Sequence, residues 1–123
     1  MAKKILLIED EEVIVKLLGK KLANIGYEVG FAMDGQEGID KMKQQIPDLV
    51  LLDIVMPRKG GFEVMEEMKK DPALAKIPVI IISNSGQPLE LEKAKKLGVA
   101  DWLVKTEFDP KEVVEKISKY IGQ

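Results

Sequence analysis

The chain of 123 residues contains no cysteine and no histidine. Without cysteine it can form neither a disulfide framework nor a catalytic thiolate, and this composition fits a reducing compartment. Without histidine it lacks the side chain that most often acts as a general acid or base near neutral pH. Enzymes and metal sites that depend on these two residue types are therefore excluded. Carboxylates, hydroxyls and lysines remain as candidates for chemistry.

The sequence also has little net charge and no long apolar run. Its formal net charge is −2, and its lysines alternate with glutamates along helical stretches, without the basic stripe that nucleic acid requires. No apolar run is long enough to cross a bilayer, and no signal peptide precedes the first predicted strand. We therefore expect a cytoplasmic protein without membrane insertion and without direct contact with nucleic acid.

Five short apolar segments alternate with five segments of helical periodicity. This alternation predicts an α/β fold, a doubly wound parallel sheet with helices on both faces, and the length suits one domain, residues 1–123. The predicted strands are Lys4–Ile8, Tyr27–Ala32, Leu49–Asp53, Pro78–Ser83 and Asp101–Val104. The first and fourth predicted helices are about Glu11–Asn24 and Pro88–Leu97. The second carries Ile39, Met42 and Ile46 between an Asp34-Gly35 turn and Pro47, and the third carries Phe62, Met65 and Met68. Asp109 caps the last helix.

Polar residues stand where the predicted strands end. Right-handed crossovers bring the carboxyl ends of parallel strands to one edge of the sheet, where open α/β proteins bind their ligands. Glu9 and Asp10 follow the first strand, and Asp53 ends the third. Ser83 ends the fourth strand, and Lys105 follows the fifth. We therefore expect these five side chains to form one site.

Asp53 is the most informative of these residues because nearly everything around it is apolar. A carboxylate at the tip of a strand buried on both faces is costly unless something pairs with it. Clustered with Glu9 and Asp10 it would need a cation, and Mg²⁺ takes one or two carboxylates while keeping waters for other ligands. Lys105 and Ser83 would add a positive charge and a hydroxyl donor for phosphoryl oxygens. The pattern predicts a Mg²⁺ site that handles phosphoryl groups, with Asp53 as the acceptor.

Each residue also has a purely structural interpretation. The acidic run from Glu9 to Glu12 could serve only to favour the amino terminus of the following helix. Asp53 could be a turn-forming side chain, Ser83 an ordinary loop residue and Lys105 a solvated or ion-paired lysine. The functional interpretation rests on a coincidence, because four successive sheet-end positions carry groups suited to one site.

Together these residues resemble the receiver domain of bacterial two-component response regulators, over essentially the whole chain. The matching residues are the acid pair Glu9-Asp10, the Asp53-x-x-Met56-Pro57 motif with Gly61 after it, Ser83, Lys105, and Trp102 at the family's aromatic switch position. The resemblance is to single-domain regulators of the chemotaxis type. It implies a single receiver domain with a five-stranded sheet in the order 2-1-3-4-5, the flavodoxin-like arrangement.

The resemblance also implies how the acid cluster works. Asp53 would take a phosphoryl group from the phosphohistidine of a sensor histidine kinase, or from a phosphotransfer protein. Asp10, Asp53 and the backbone carbonyl of Val55 would ligate Mg²⁺, with Glu9 binding directly or through water. The protein would assist its own phosphorylation and dephosphorylation without being a turnover enzyme.

On the same resemblance, phosphorylation would change the surface of the protein. Lys105 would contact a phosphoryl oxygen, Ser83 would move towards the phosphate, and Trp102 would rotate inward behind it. The face formed by the fourth helix, fifth strand and fifth helix would then change its preferred target or output domain. The resemblance also allows a homodimer that depends on phosphorylation. Physically this is a two-state element biased by a new local charge.

Three positions depart from the family pattern. Thr106 stands where a proline in a cis peptide bond is usual, and a cis bond before any other residue costs about 3–4 kcal/mol. The bond is therefore either a costly cis bond or a trans bond in a loop of another shape. Arg58-Lys59-Gly60 adds positive charge that we expect near the acid pocket. Asn84 replaces a very small residue and is expected to narrow access to Asp53.

Other classes of protein fit these residues less well. Phosphatases of the haloacid dehalogenase type place Asp-x-Asp after their first strand, whereas Glu9 and Asp10 are adjacent. A nucleotide or flavin module would need glycines at this turn, where the acidic run would instead repel phosphate. The remaining alternative is a degenerate receiver that binds proteins without phosphorylation. The acid pair, Asp53 and Lys105 argue against it, and Thr106 argues for it.

Overall fold

The computed structural model describes residues 2–84, 87–105 and 109–122, in which five strands alternate with five helices. The strands are β1 (Lys4–Ile8), β2 (Glu28–Ala32), β3 (Leu49–Asp53), β4 (Val79–Ser83) and β5 (Asp101–Val104). The helices are α1 (Glu12–Ile25), α2 (Gly35–Gln44), α3 (Gly61–Lys70), α4 (Pro88–Lys96) and α5 (Pro110–Ile121). Within these ranges no helix has the length and apolar character needed to cross a membrane.

The five strands form one parallel sheet in the order β2-β1-β3-β4-β5. This confirms the predicted fold class and strand order. The register sets Asp53 opposite Ile82, and Ser83 opposite Val104. Because all strands run in the same direction, their carboxyl ends meet at one edge of the sheet. The strand order reverses between β1 and β3, which is where such sheets bind ligands.

Alternate residues along each strand pack into two separate apolar layers, one on each face of the sheet. In β1, Ile5 and Leu7 join the layer under α1 and α5, whereas Leu6 and Ile8 join the layer under α2, α3 and α4. In β5, Leu103 belongs to the first layer and Trp102 packs against the second. All residues of β3 and β4 are buried, which explains their nearly continuous apolar sequence.

The boundaries predicted for the five strands, for α1 and for α4 agree with the structure to within one residue. The segment around α2 was predicted less well. Asp34 does not form a turn but caps α2, because its Oδ1 accepts the backbone N–H of Glu37 at 2.9 Å. Ile46 does not continue the buried helical face: it lies beyond the end of α2 and is 53% exposed. Pro47 disfavours the helical conformation of the residue before it.

Candidate functional site

The five predicted site residues lie at the carboxyl edge of the sheet, on four of its strands. Glu9 and Asp10 directly follow β1, and Asp53 is the last residue of β3. Ser83 is the last residue of β4, and Lys105 directly follows β5. The backbone N–H of Lys105 donates to the carbonyl of Ser83 at 2.6 Å, so the pairing of the two strands continues one residue further. The structure therefore brings all five residues to one edge.

Three carboxylates form a cluster at the centre of this edge. Glu9, Asp10 and Asp53 each offer an oxygen atom, and these oxygens lie within 4.8 Å of one another. Glu9 is fully buried, Asp53 is 4% exposed, and Asp10 is exposed. A hard divalent cation suits such a set, since it takes few protein oxygens and keeps waters on its open side. The donor set therefore fits Mg²⁺. Val55, whose backbone carbonyl is the fourth predicted ligand, lies two residues after Asp53 and is 75% exposed.

Lys105 reaches into the same cluster. Its Nζ lies 2.8 Å from Glu9 Oε1, 2.8 Å from Glu11 Oε2 and 3.3 Å from Asp53 Oδ2. The lysine side chain is 5% exposed. One ammonium group thus faces three carboxylates, and Asp10 adds a fourth negative charge to the cluster. The site carries more negative than positive charge, which a divalent cation would balance.

Burial and this charge imbalance perturb the acids. Burial raises the pKa of Glu9 to about 7, against the lowering effect of its contacts with Lys105 and with the backbone of Glu11. Burial also raises the pKa of Asp53, and the charge of Lys105 limits that rise. Burial disfavours the charged form of Lys105, but its hydrogen bonds to Glu11 and Glu9 prevail and raise the lysine pKa. A metal cation would relieve both acids because it stabilises their charged forms.

The two predicted switch residues occupy neighbouring strands beside the cluster. Ser83 is 5% exposed at the end of β4. Trp102 is half-buried, pairs in register with Ile81, and packs against the layer that contains Ala94 and Leu97. Its indole N–H is buried without a hydrogen-bond partner among the described residues. A buried N–H without a partner costs free energy, and the apolar contacts of the ring with this layer oppose that cost. The movements predicted for these two residues stay predictions.

The predicted effects of Thr106 and Asn84 stay predictions. Thr106 lies outside the described residues, and so does the shape of the loop that it begins. No cis peptide bond occurs within the described residues. Asn84 directly follows β4 and is exposed. That it narrows access to Asp53 stays a prediction.

The third departure, the positive charge of the loop between β3 and α3, has acidic partners outside the acid cluster, and its predicted proximity to the cluster stays a prediction. Arg58 Nη2 lies 2.8 Å from Oδ2 of Asp34, the cap of α2. The carbonyl of Lys59 accepts the N–H of Gly35 at 3.0 Å, and its ammonium group pairs with Glu67 on α3. The loop is thereby tied to the amino terminus of α2. Sequence patterns missed this contact because Arg58 and Asp34 are 24 positions apart.

Arg58 has a backbone φ of 64°, a left-handed conformation that costs a non-glycine residue roughly 1 kcal/mol. We expect Arg58→Ala to lower the free energy of unfolding by up to about 1 kcal/mol, because the ion pair is lost while the strain remains. Arg58→Gly loses the same ion pair but relieves the strain, so it should be more stable than Arg58→Ala by about 0.5–1 kcal/mol. Urea unfolding of the three proteins measures both differences, and equal stability of the two variants would contradict the strain argument.

Glu11 belongs to the site although the sequence patterns did not single it out. It stands at the N-cap position of α1 but makes no side-chain capping hydrogen bond. Its Oε2 instead accepts a hydrogen bond from Lys105, which lies 94 positions later in the chain. The one available signal was that a third acidic residue directly follows the acid pair, more than a helix amino terminus needs.

The chain matches the response regulator receiver domain family over residues 5–118. It is 38% identical over 114 residues to the probable transcriptional regulator ycf27 of Guillardia theta, covering 93% of this chain and 43% of that protein. It is 37% identical over 120 residues to the chemotaxis protein CheY of Thermotoga maritima, covering 97% and 98%. The solved structure of the phosphorylated cyanobacterial phytochrome response regulator RcpA is 32% identical, with a TM-score of 0.86, and the match covers 98% of this chain and 94% of that chain.

The extent of these matches differs between relatives. The chain spans somewhat less than half the length of the ycf27 and PhoP transcriptional regulators that it matches. Its match to CheY covers nearly the whole of both proteins. The sheet order, the acidic edge and these matches agree with the resemblance predicted from the sequence. The chain therefore belongs to the response regulator receiver domain family of two-component signalling.

Proposed function

We propose that this receiver domain accepts a phosphoryl group on Asp53 and thereby changes its choice of partner. The donor is the phosphohistidine of a sensor histidine kinase or of a phosphotransfer protein. One observation carries the proposal: Asp53 is a buried carboxylate at the centre of the ligand-binding edge, within 4.8 Å of two further acids and 3.3 Å from Lys105 Nζ. The phosphorylated state named for the related regulator RcpA supports the same chemistry.

In the transfer, a carboxylate oxygen of Asp53 attacks the phosphorus atom. The phosphorus–nitrogen bond of the donor breaks, its electron pair stays on the imidazole, and an acyl phosphate forms on Asp53. Glu9, Asp10, Asp53 and the carbonyl of Val55 would hold Mg²⁺, whose charge would offset the negative oxygens of the phosphoryl group. The ammonium group of Lys105 is close enough to turn to one of these oxygens.

The new charge on Asp53 then biases the neighbouring strands. Ser83 moves towards the phosphoryl group, and Trp102 rotates inward behind it. The face of α4, β5 and α5 thereby changes its affinity for a target protein or an output domain. Residues 1–123 act as a single receiver domain in the cytoplasm. The domain assists its own phosphorylation and dephosphorylation and does not turn over a free substrate. A homodimer formed through this face is a further readout of the same switch.

Acetyl phosphate, Mg²⁺ and intact-mass measurement test the proposal. The wild-type protein should gain one phosphoryl group, and Asp53→Asn should gain none because the nucleophilic oxygen is lost. Asp40→Asn makes the same change on the outer surface of α2, where Asp40 contacts Gln36, and should label like the wild type. Chelation of Mg²⁺ should abolish the gain. Labelling of Asp53→Asn, or an unlabelled wild type that binds Mg²⁺, would overturn the proposal.

A further inference from the structure

We propose that Glu11 is a positioning residue for Lys105. In the unphosphorylated protein its carboxylate holds the ammonium group at the rim of the acid cluster, and this contact competes with the contact between Lys105 and a phosphoryl group on Asp53. The inference rests on the proposed function and concerns a residue outside the predicted metal ligands. It makes Glu11 a determinant of how readily the site accepts its phosphoryl group.

The contact distances identify the partners that hold the lysine. Lys105 Nζ is 2.8 Å from the oxygens of both Glu9 and Glu11, and 3.3 Å from the Asp53 oxygen. The Glu11 contact is a hydrogen bond in which Lys105 Nζ donates to Glu11 Oε2. The lysine is therefore drawn towards the two glutamates rather than towards the phosphate acceptor.

Exposure decides which of these contacts can be exchanged. When Asp53 becomes an acyl phosphate, its own contact with Lys105 passes to the phosphoryl group, and the two glutamates remain as competing partners of the ammonium group. Glu9 is fully buried, so its carboxylate would be left without water and without a cation if Lys105 moved away. The Glu11 side chain is 51% exposed and can return to water at small cost. Glu11 is thus the partner that Lys105 exchanges for a phosphoryl oxygen.

A neighbouring residue offers a matched control. Glu12 follows Glu11 in the chain, carries the same charge, and pairs with Lys16 at 2.9 Å on the exposed surface of α1. Glu11→Gln and Glu12→Gln therefore change the net charge equally, but only the first removes a contact with Lys105. Neither change alters a residue of the core, since Glu11 and Glu12 are both exposed.

The first measurement is the affinity for beryllium trifluoride, which mimics a phosphoryl group on a carboxylate, at saturating Mg²⁺. The single tryptophan, Trp102, lies on β5 three residues before Lys105, and its fluorescence is the readout of binding. We expect Glu11→Gln to bind roughly two- to fivefold more tightly than the wild type, the range for losing one partly exposed ion pair from the unbound state. Glu12→Gln should bind like the wild type.

The second measurement needs neither metal nor phosphate mimic. NMR relaxation of the Lys105 ε-methylene in the metal-free protein reports whether the ammonium group is held. We expect this group to move more in Glu11→Gln than in the wild type, and to move as in the wild type in Glu12→Gln. This readout separates a contact from a general charge effect, because a charge effect would change affinity without releasing the lysine.

The outcomes distinguish this inference from the proposed function. Equal affinity changes in the two variants, no change in either, or unaltered motion of Lys105 in Glu11→Gln would each overturn the positioning role. A wild-type protein that binds Mg²⁺ but not beryllium trifluoride would overturn the proposed function instead. The NMR comparison would then still decide whether Glu11 holds Lys105: released motion supports the contact, and unchanged motion rejects it.

Discussion

Lys105→Met is expected to lower the free energy of unfolding of the metal-free protein by roughly 2–4 kcal/mol at about pH 8. The lysine ammonium group lies within 3.3 Å of oxygens from Glu9, Glu11 and Asp53. Methionine keeps most of the side-chain volume but no charge, so two buried carboxylates would face each other without a cation. Removing one partner of a buried ion pair is costly for this reason, because the remaining charge has lost its water as well.

Urea unfolding in the presence of a chelator measures this loss, and pH tests its cause. Near about pH 5 the buried acids of the variant take up protons, so its difference from the wild type should shrink. Added Mg²⁺ should restore part of the loss at the higher pH. Lys116→Met is the control, because Lys116 pairs with Asp101 at 3.0 Å where both side chains are partly exposed, and about 1 kcal/mol or less is expected there. An equal loss in both variants would contradict the argument.

The wild-type protein without metal should lose stability as the pH rises from about 5 to about 7, because Glu9 keeps its proton longer when folded. Its pKa is 4.5 when unperturbed and about 7 in the folded protein. Between these values the folded state binds more protons than the unfolded state, so each rise in pH favours unfolding. The full effect is about 3 kcal/mol, and Asp53, whose pKa is also raised, acts in the same direction. Asp34 has a lowered pKa and acts at more acidic pH, where its stabilising contribution is lost as the pH falls.

Unfolding curves at several pH values between about 5 and about 8, with chelator and with Mg²⁺, test this dependence. Glu9→Gln should reduce the slope of the metal-free profile, leaving the part that comes from Asp53. Glu12→Gln should leave the profile unchanged, because Glu12 lies on the exposed surface of α1. Mg²⁺ should stabilise the wild type more at the alkaline end, where it does not compete with a proton for the carboxylate. A profile that is flat in the wild type, or equally steep in Glu9→Gln and in the wild type, would contradict the assignment.

The sequence predicted the fold well where one physical effect dominates. Residues of β3 and β4 are buried on both faces, so the strands appear as apolar runs that no surface helix would show. The parallel topology then brings Asp53, Ser83 and Lys105 to one edge, whatever the details of their side chains. Their proximity follows from strand ends alone and could therefore be predicted without coordinates.

Contacts between side chains from distant segments could not be predicted in this way. The pairs Lys105–Glu11 and Arg58–Asp34 depend on the reach and rotamer of flexible side chains, which hydrophobic periodicity does not report. A lysine in an acidic site has several partners of equal chemistry, and only geometry selects among them. The prediction for Ile46 was wrong for another reason. Its apolar side chain at helical spacing was assigned to α2, although the proline after it disfavours a helical backbone.

The separation of the core into two layers has a mechanical consequence. Trp102 and Leu103 are adjacent in β5 but pack on opposite sides of the sheet. A rotation of the indole ring would repack the side that carries α4, so within the face of α4, β5 and α5 the change would begin at α4, whereas α1 lies on the other side of the sheet. The sheet then acts as a partition between an adjustable half and a stationary half. A protein that binds α1 would meet the same surface in the unphosphorylated and phosphorylated states. A protein that binds α4 would distinguish the two states.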